Sequence, residues 1–127
     1  MTKIMLIALG GGAGSVLRYL IAGWGQRLAS ETFPFGTLLV NVLGCLLIGF
    51  LYAAFAGPWL VREEYRLALL VGVLGGFTTF STFGYETFTL ANDGQWGLVL
   101  FNVGLSVTLG LAAVGLGYRL AEKMLGV

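Results

Sequence analysis

The sequence predicts an all-helical membrane protein with four transmembrane helices per chain, and three observations carry that prediction. Of 127 residues, 57% are hydrophobic and only 10% charged, where a soluble domain carries about a quarter charged residues. The charges are bunched at Lys3, Arg18, Arg27 with Glu31, Arg62 to Arg66, Glu86, Asp93, and Arg119 onward. Between them run apolar stretches long enough to cross a hydrocarbon core of about 30 Å, which takes about 20 helical residues.

The first span is placed at residues 4–24 and contains Arg18. Lys3 and the following IMLIALGGGAG mimic a secretory signal, but Arg18 and a second apolar run follow without a clean cleavage site, which favours a retained span. The second span, 34–56, opens at Pro34, which suits a first helical turn, and ends before the stop signal Gly57-Pro58. The third and fourth spans are placed at 67–90 and 96–118, joined by Ala91-Asn92-Asp93-Gly94, which has turn chemistry. The links are short, so residues 1–127 read as a single integral membrane domain in the lipid bilayer.

Several function classes drop out. A net charge of +1 gives no case for nucleic acid. Cys45 stands alone in an apolar run and there is no histidine, which argues against zinc, haem and iron–sulfur sites. The early GGGAGS run lacks the glycine spacing, the Lys-Ser/Thr ending and the preceding strand of a phosphate loop. The chain reads as a non-enzyme.

Small residues recur four apart at Gly10/Gly14, Cys45/Gly49, Gly72/Gly76, Ser106/Gly110 and Ala113/Gly117. In lipid this spacing lets helix backbones approach closely. Four helices are too few to enclose an aqueous path and also keep a core, so the polar content implies a homo-oligomer, most simply a two-fold dimer. Lys3, Arg62, Arg66, Arg119 and Lys123 would share one side of the membrane, against Arg27 and Arg18 on the other. That bias favours cytoplasmic termini on few charges.

Polar residues inside the spans are the functional signal. Thr37, Asn41, Cys45 and Gly49 form one stripe of the second span; Asn102, Ser106 and Gly110 form another in the fourth. The third span holds GGFTTFSTFGYE, which adds Thr79, Thr82 and Glu86. Lipid offers these groups no partner, and an intramembrane carboxylate is a functional candidate by default. Spacing alone leaves two readings open: hydrogen bonds that pack the helices, or the lining of a path. Arg18 could pair with Glu86 or snorkel to a vestibule or interface. Phe80 and Phe83 could be packing anchors, or could turn their positive ring edges toward an anion. Gly75-Gly76 followed by threonines is poor helix sequence, so a break near Gly75–Thr79 would free backbone carbonyls suited to a hard cation such as sodium.

GGFTTFSTFGYE closely resembles the third-helix signature of the Fluc (CrcB) fluoride channels, PFGTLLVNVLG resembles their second helix, and the stretch GGAGSVLRY with Arg18 also fits. Length and layout agree over essentially the whole chain. The resemblance implies an antiparallel, dual-topology homodimer in a bacterial inner membrane, with two fluoride pathways along the subunit interface. It implies that Phe80, Phe83 and Asn41 line the pore, and that Thr82, Ser106, Ser81, Thr37 and Glu86 belong to the polar track or its surroundings. It also implies that the backbone carbonyls of Gly75 and Thr78 hold a structural Na+ that is not transported.

Two features depart from that pattern. Gly110 stands where some relatives carry a further hydroxyl beyond Ser106, and the charge bias leans to one orientation where antiparallel assembly needs balanced insertion. The expected function is passive fluoride efflux that lowers cytoplasmic fluoride. The alternative is a small dual-topology, proton-coupled multidrug or cation exporter using Glu86. A third reading is a structural membrane subunit whose glycine stripes dock a partner.

Overall fold

The computed structural model describes residues 1–29 and 31–126. In chain order, α1 spans Thr2–Ala29, α2 Phe35–Ala56 and α3 Glu63–Leu67. A π-helical stretch, Ala68–Val73, leads into α4, Leu74–Phe77; α5 covers Phe80–Asn92 and α6 Trp96–Leu125. Among the described residues four stretches are long and apolar enough to cross a membrane: Thr2–Ala29, Phe35–Ala56, Glu63–Asn92 and Trp96–Leu125. The third is composite, running from α3 through α5.

Helices overrun the apolar segments because lipid thickness limits only the hydrophobic part of a span. The helical backbone continues through Gln26 and Arg27 in α1, and through Arg119 to Lys123 in α6. The breaks follow local chemistry. Pro34 caps α2, and the Gly57 amide folds back onto the carbonyls of Ala53 and Ala54. Gly94 takes φ of 72°, a left-handed turn that favours glycine.

Two glycine-mediated crossings hold the helices together. A methyl group added at Gly49 would collide with the Val114 carbonyl, and one at Gly117 with the Leu46 carbonyl, so α2 and α6 meet backbone to backbone. Gly10 and Gly14 press on Ala68 and Val73, while Gly72 and Gly76 press back on Ile7 and Gly11. Such contacts replace the hydrophobic drive that lipid cannot give. At the ends, Lys3 Nζ meets Glu63 at 2.8 Å, tying α1 to α3. The Gln26 side chain donates to the Phe33 carbonyl at 2.8 Å and accepts from the Gly36 amide at 3.0 Å. It thereby serves an orphan amide of α2, which has no side-chain cap of its own.

Burial is unequal. α2 carries nine buried residues, from Gly36 to Phe55, whereas α1 buries only Gly14 and Gly25, and α5 only Leu90. α2 is the inner helix. α5 presents most of its surface outward.

Candidate functional site

Helical geometry stops at Phe77 and resumes at Phe80. Thr78 (φ −89°, ψ 158°) and Thr79 (φ −152°, ψ 119°) are extended, while Gly75 and Gly76 lie within α4. β-Branched threonine tolerates extended backbone well. Thr79 then acts as the cap of α5, its hydroxyl accepting the Thr82 amide at 3.2 Å. Asn41 of α2 completes the arrangement. Its Oδ1 accepts from the Thr79 amide at 2.8 Å and its Nδ2 donates to the Thr79 carbonyl at 3.0 Å.

The break takes the carbonyls of Gly75, Gly76, Phe77 and Thr78 out of the helical ladder, and for two of them the amide that would have served is held elsewhere. In a continuous helix the amides of Thr79 and Thr82 would close onto the oxygens of Gly75 and Thr78. Here both amides are given to side chains, Asn41 and Thr79. Nothing lies within 4 Å of the space a side chain would take at Gly75, so that flank is open. Asn41, Gly44, Cys45, Gly75, Thr78 and Phe80 border a cleft of about 320 Å³ there.

On the other side of Thr79 lies a second cleft, about 360 Å³, bordered by Arg18, Thr37, Thr79, Thr82 and Glu86. The Thr79 hydroxyl reaches Thr82 Oγ1 at 3.1 Å and stands 3.4 Å from Ser81 Oγ. Thr37 donates to Glu86 Oε1 at 2.7 Å, while Glu86 Oε2 is buried with no hydrogen-bond partner. The partner of the carboxylate is thus Thr37, and Arg18 only shares its cleft. Glu86 also borders a wider opening of about 540 Å³, with Gln26, Glu31, Tyr85 and Asp93. One carboxylate therefore stands between a cleft inside the span and an end of the bundle.

Phe80 borders the first cleft yet is largely exposed, and Phe83 borders neither cleft. Phe80 and Phe83 have ring centroids 5.6 Å apart at 48°, and Phe80 is 82% exposed on the outward face of α5. Ser81 is exposed beside it, and Ser106 is half-buried on α6. Phe83 and Ser106 border neither of the two inner clefts. The structure thus gathers Asn41, Gly75, Thr78 and Phe80 at one cleft, and Arg18, Thr37, Thr82 and Glu86 at the other, with Thr79 at both.

The stripe of the fourth span divides. Asn102 is 1% exposed and donates to Thr87 Oγ1 at 3.0 Å, and Gly110 lies buried next to Cys45. The Thr87 hydroxyl donates in turn to the Phe83 carbonyl at 2.7 Å. Sequence reasoning passed over Thr87. Its signal was the four-residue spacing from Phe83, which puts a hydroxyl one turn below a ring-bearing residue.

Comparison with known proteins adds identity to this geometry. A family model described as "CrcB-like protein, Camphor Resistance (CrcB)" matches residues 5–118. The chain belongs to the CrcB family. Among curated CrcB relatives, a protein of Geobacter sulfurreducens named "Fluoride-specific ion channel FluC" is 48% identical, over 98% of this chain and 100% of its own. A protein of the same name from Sulfurovum sp. is 43% identical over 97% and 96% of the two chains, and one from Agrobacterium fabrum 44% over 98% and 99%. With its four spans, this CrcB chain is a multi-pass membrane protein.

Proposed function

We propose that this chain is a fluoride-specific channel of the bacterial inner membrane, letting fluoride leave the cytoplasm passively. The observation that carries the reading is the near full-length similarity to relatives named as fluoride-specific channels. The chemistry of the third span is consistent with it. Stripping the water from a small hard anion costs tens of kcal/mol on an idealised Born estimate, so a path must offer close, oriented replacements. Hydroxyls of Ser81, Thr82 and Ser106, the second N–H of the Asn41 amide and the ring edges of Phe80 and Phe83 are such donors, while the Thr37 hydroxyl is given to Glu86. Neutral HF enters cells from acid surroundings and ionises inside, and a negative interior then drives the anion outward through a simple conductive path.

The working unit in this reading is an antiparallel homodimer. Its support is the outward face of α5, where Phe80 is 82%, Tyr85 72% and Phe88 67% exposed beside Ser81. The Ser81 hydroxyl, 3.4 Å from Thr79 Oγ1, can take a further partner there, which lipid cannot supply. A second copy in opposite orientation would enclose two equivalent pathways, each holding Phe80 and Phe83 at its wall. The charge bias remains a demand on insertion, which dual topology has to meet with few lysines and arginines.

A structural Na+ fits the same unit. Hard oxygen ligands suit sodium, and the carbonyls of Gly75 and Thr78 are the two whose helical amides go to Asn41 and Thr79. The cation would supply fixed positive charge between subunits. Asn41 and Thr79 do the holding, by keeping those carbonyls turned away from a helical ladder.

In the exporter reading, Glu86 would cycle protons. Relatives carrying the channel name leave that reading without support. Purified protein in liposomes under a potassium-valinomycin drive tests the channel: fluoride efflux far faster than chloride is expected, and equal rates for the two ions would defeat the proposal.

A further inference from the structure

α5 carries Phe80, Ser81, Thr82, Phe83 and Glu86 yet buries a single residue, Leu90. Apolar packing within the chain therefore does little to fix how this helix is rolled about its axis. Polar ties must do so. One runs from Asn41 to Thr79 just before the helix, and one from Thr37 to Glu86. The third is Asn102, which is 1% exposed and donates from α6 to the Thr87 hydroxyl at 3.0 Å.

Thr87 is not a neutral landing point. Threonine in a helix has two accessible χ1 rotamers because its hydroxyl can bond a carbonyl one turn back. Here the hydroxyl donates to the Phe83 carbonyl at 2.7 Å, and accepting from Asn102 holds it in that rotamer. Residues 83 and 87 share one line of the helix surface. A buried amide that grips position 87 thus sets the azimuth of position 83.

We propose that Asn102 is a positioning residue for Phe83, acting through Thr87 to fix the roll of α5 and so the direction of the Phe83 ring edge. The inference rests on the channel reading given above. Neither residue need touch the ion. Their effect is on orientation, and ring-edge recognition is directional.

The test uses full-length protein in liposomes: wild type, Asn102→Leu, Thr87→Val, Thr87→Ser and the double variant Asn102→Leu/Thr87→Val, with fluoride and chloride efflux measured on each and normalised to reconstituted protein. A membrane hydrogen bond of ordinary strength implies a loss of fluoride rate, and of the fluoride-to-chloride ratio, of roughly three- to thirtyfold in Asn102→Leu and Thr87→Val. Thr87→Ser keeps the hydroxyl and should stay within about twofold of wild type, and the double variant should be no worse than the poorer single variant, as for one shared chain. Should Asn102→Leu not fold, the Thr87→Val and Thr87→Ser pair decides alone. Variants that lose thermal stability but keep rate and ion ratio would overturn the proposal, as would Thr87→Ser failing like Thr87→Val. Wild type that does not conduct fluoride would instead overturn the channel reading beneath it.

Discussion

Asn41 pairs with Thr79 as one strand residue pairs with another: its amide group accepts from the Thr79 nitrogen at 2.8 Å and donates to the Thr79 oxygen at 3.0 Å. A side chain on α2 thereby satisfies both backbone groups of an extended residue in the middle of a span. Asn41→Ala would take from the two backbone groups the partner they have here. Each buried unpaired group costs about 1–3 kcal/mol, so a drop in detergent-solubilised melting temperature and in fluoride efflux is expected. Asn41→Asp keeps the acceptor and loses the donor, and its melting temperature should fall between those of wild type and Asn41→Ala.

Thr37 and Glu86 form the second coupled pair. The Thr37 hydroxyl is the donor to Oε1, and Oε2 has none. Thr37→Val removes the donor without changing side-chain shape, and a destabilisation of about 1–3 kcal/mol is expected, since Glu86 Oε1 is left without it. Adding Glu86→Gln should recover part of it. A thermal double-mutant cycle reads the coupling, and strict additivity would show that the two residues do not act together.

The phenylalanines give the sharpest functional contrast. Phe80→Ile and Phe83→Ile keep apolar bulk and remove the ring quadrupole. Each should lower fluoride efflux from liposomes by about tenfold or more, the equivalent of 1.4 kcal/mol at the barrier, with elution volume unchanged. Efflux at the wild-type rate in both would mean that the rings serve packing alone.

Glycine substitutions separate close helix packing from helix propensity. Gly49→Ala and Gly117→Ala drive a methyl group into the carbonyls of Val114 and Leu46, whereas Gly104 and Gly115 have nothing within 4 Å. The first two should abolish or sharply reduce folded protein. Gly104→Ala and Gly115→Ala should be neutral or raise stability by up to about 1 kcal/mol, because alanine is the better helix former. Yield and melting temperature check both pairs.

Sodium withdrawal addresses the carbonyls of Gly75 and Thr78. If a cation bridges two subunits there, exchanging sodium for N-methylglucamine should lower dimer stability, by about 2.7 kcal/mol relative to sodium held at a hundred times its dissociation constant. Dimer fraction measured across a sodium titration reads this directly, and a flat curve would leave the site without a cation.

The apolar runs determined the number of spans, because the bilayer sets how much uncharged helix a crossing needs. The four-residue spacing of small residues marked Gly49, Gly72, Gly76 and Gly117 as contact points, since close backbone approach admits no side chain. The glycine pair at 75 and 76 marks a stretch of poor helix formers in the third span. Even so, both glycines lie in helix, and the extended residues are Thr78 and Thr79.

Periodicity names the face of a helix on which a group lies, but not what stands opposite. Asn41, Ser106 and Asn102 all sit on polar stripes in the sequence, yet Asn41 grips a backbone, Asn102 is sealed against Thr87, and Ser106 does neither. Arg18 and Glu86 have complementary charge, but Thr37 reaches the carboxylate. Only the tertiary structure decided these pairings. In a membrane a buried polar group must take its partner from another helix, and which partner it meets depends on how the helices are rolled and crossed, a property of the assembled bundle that no single span encodes.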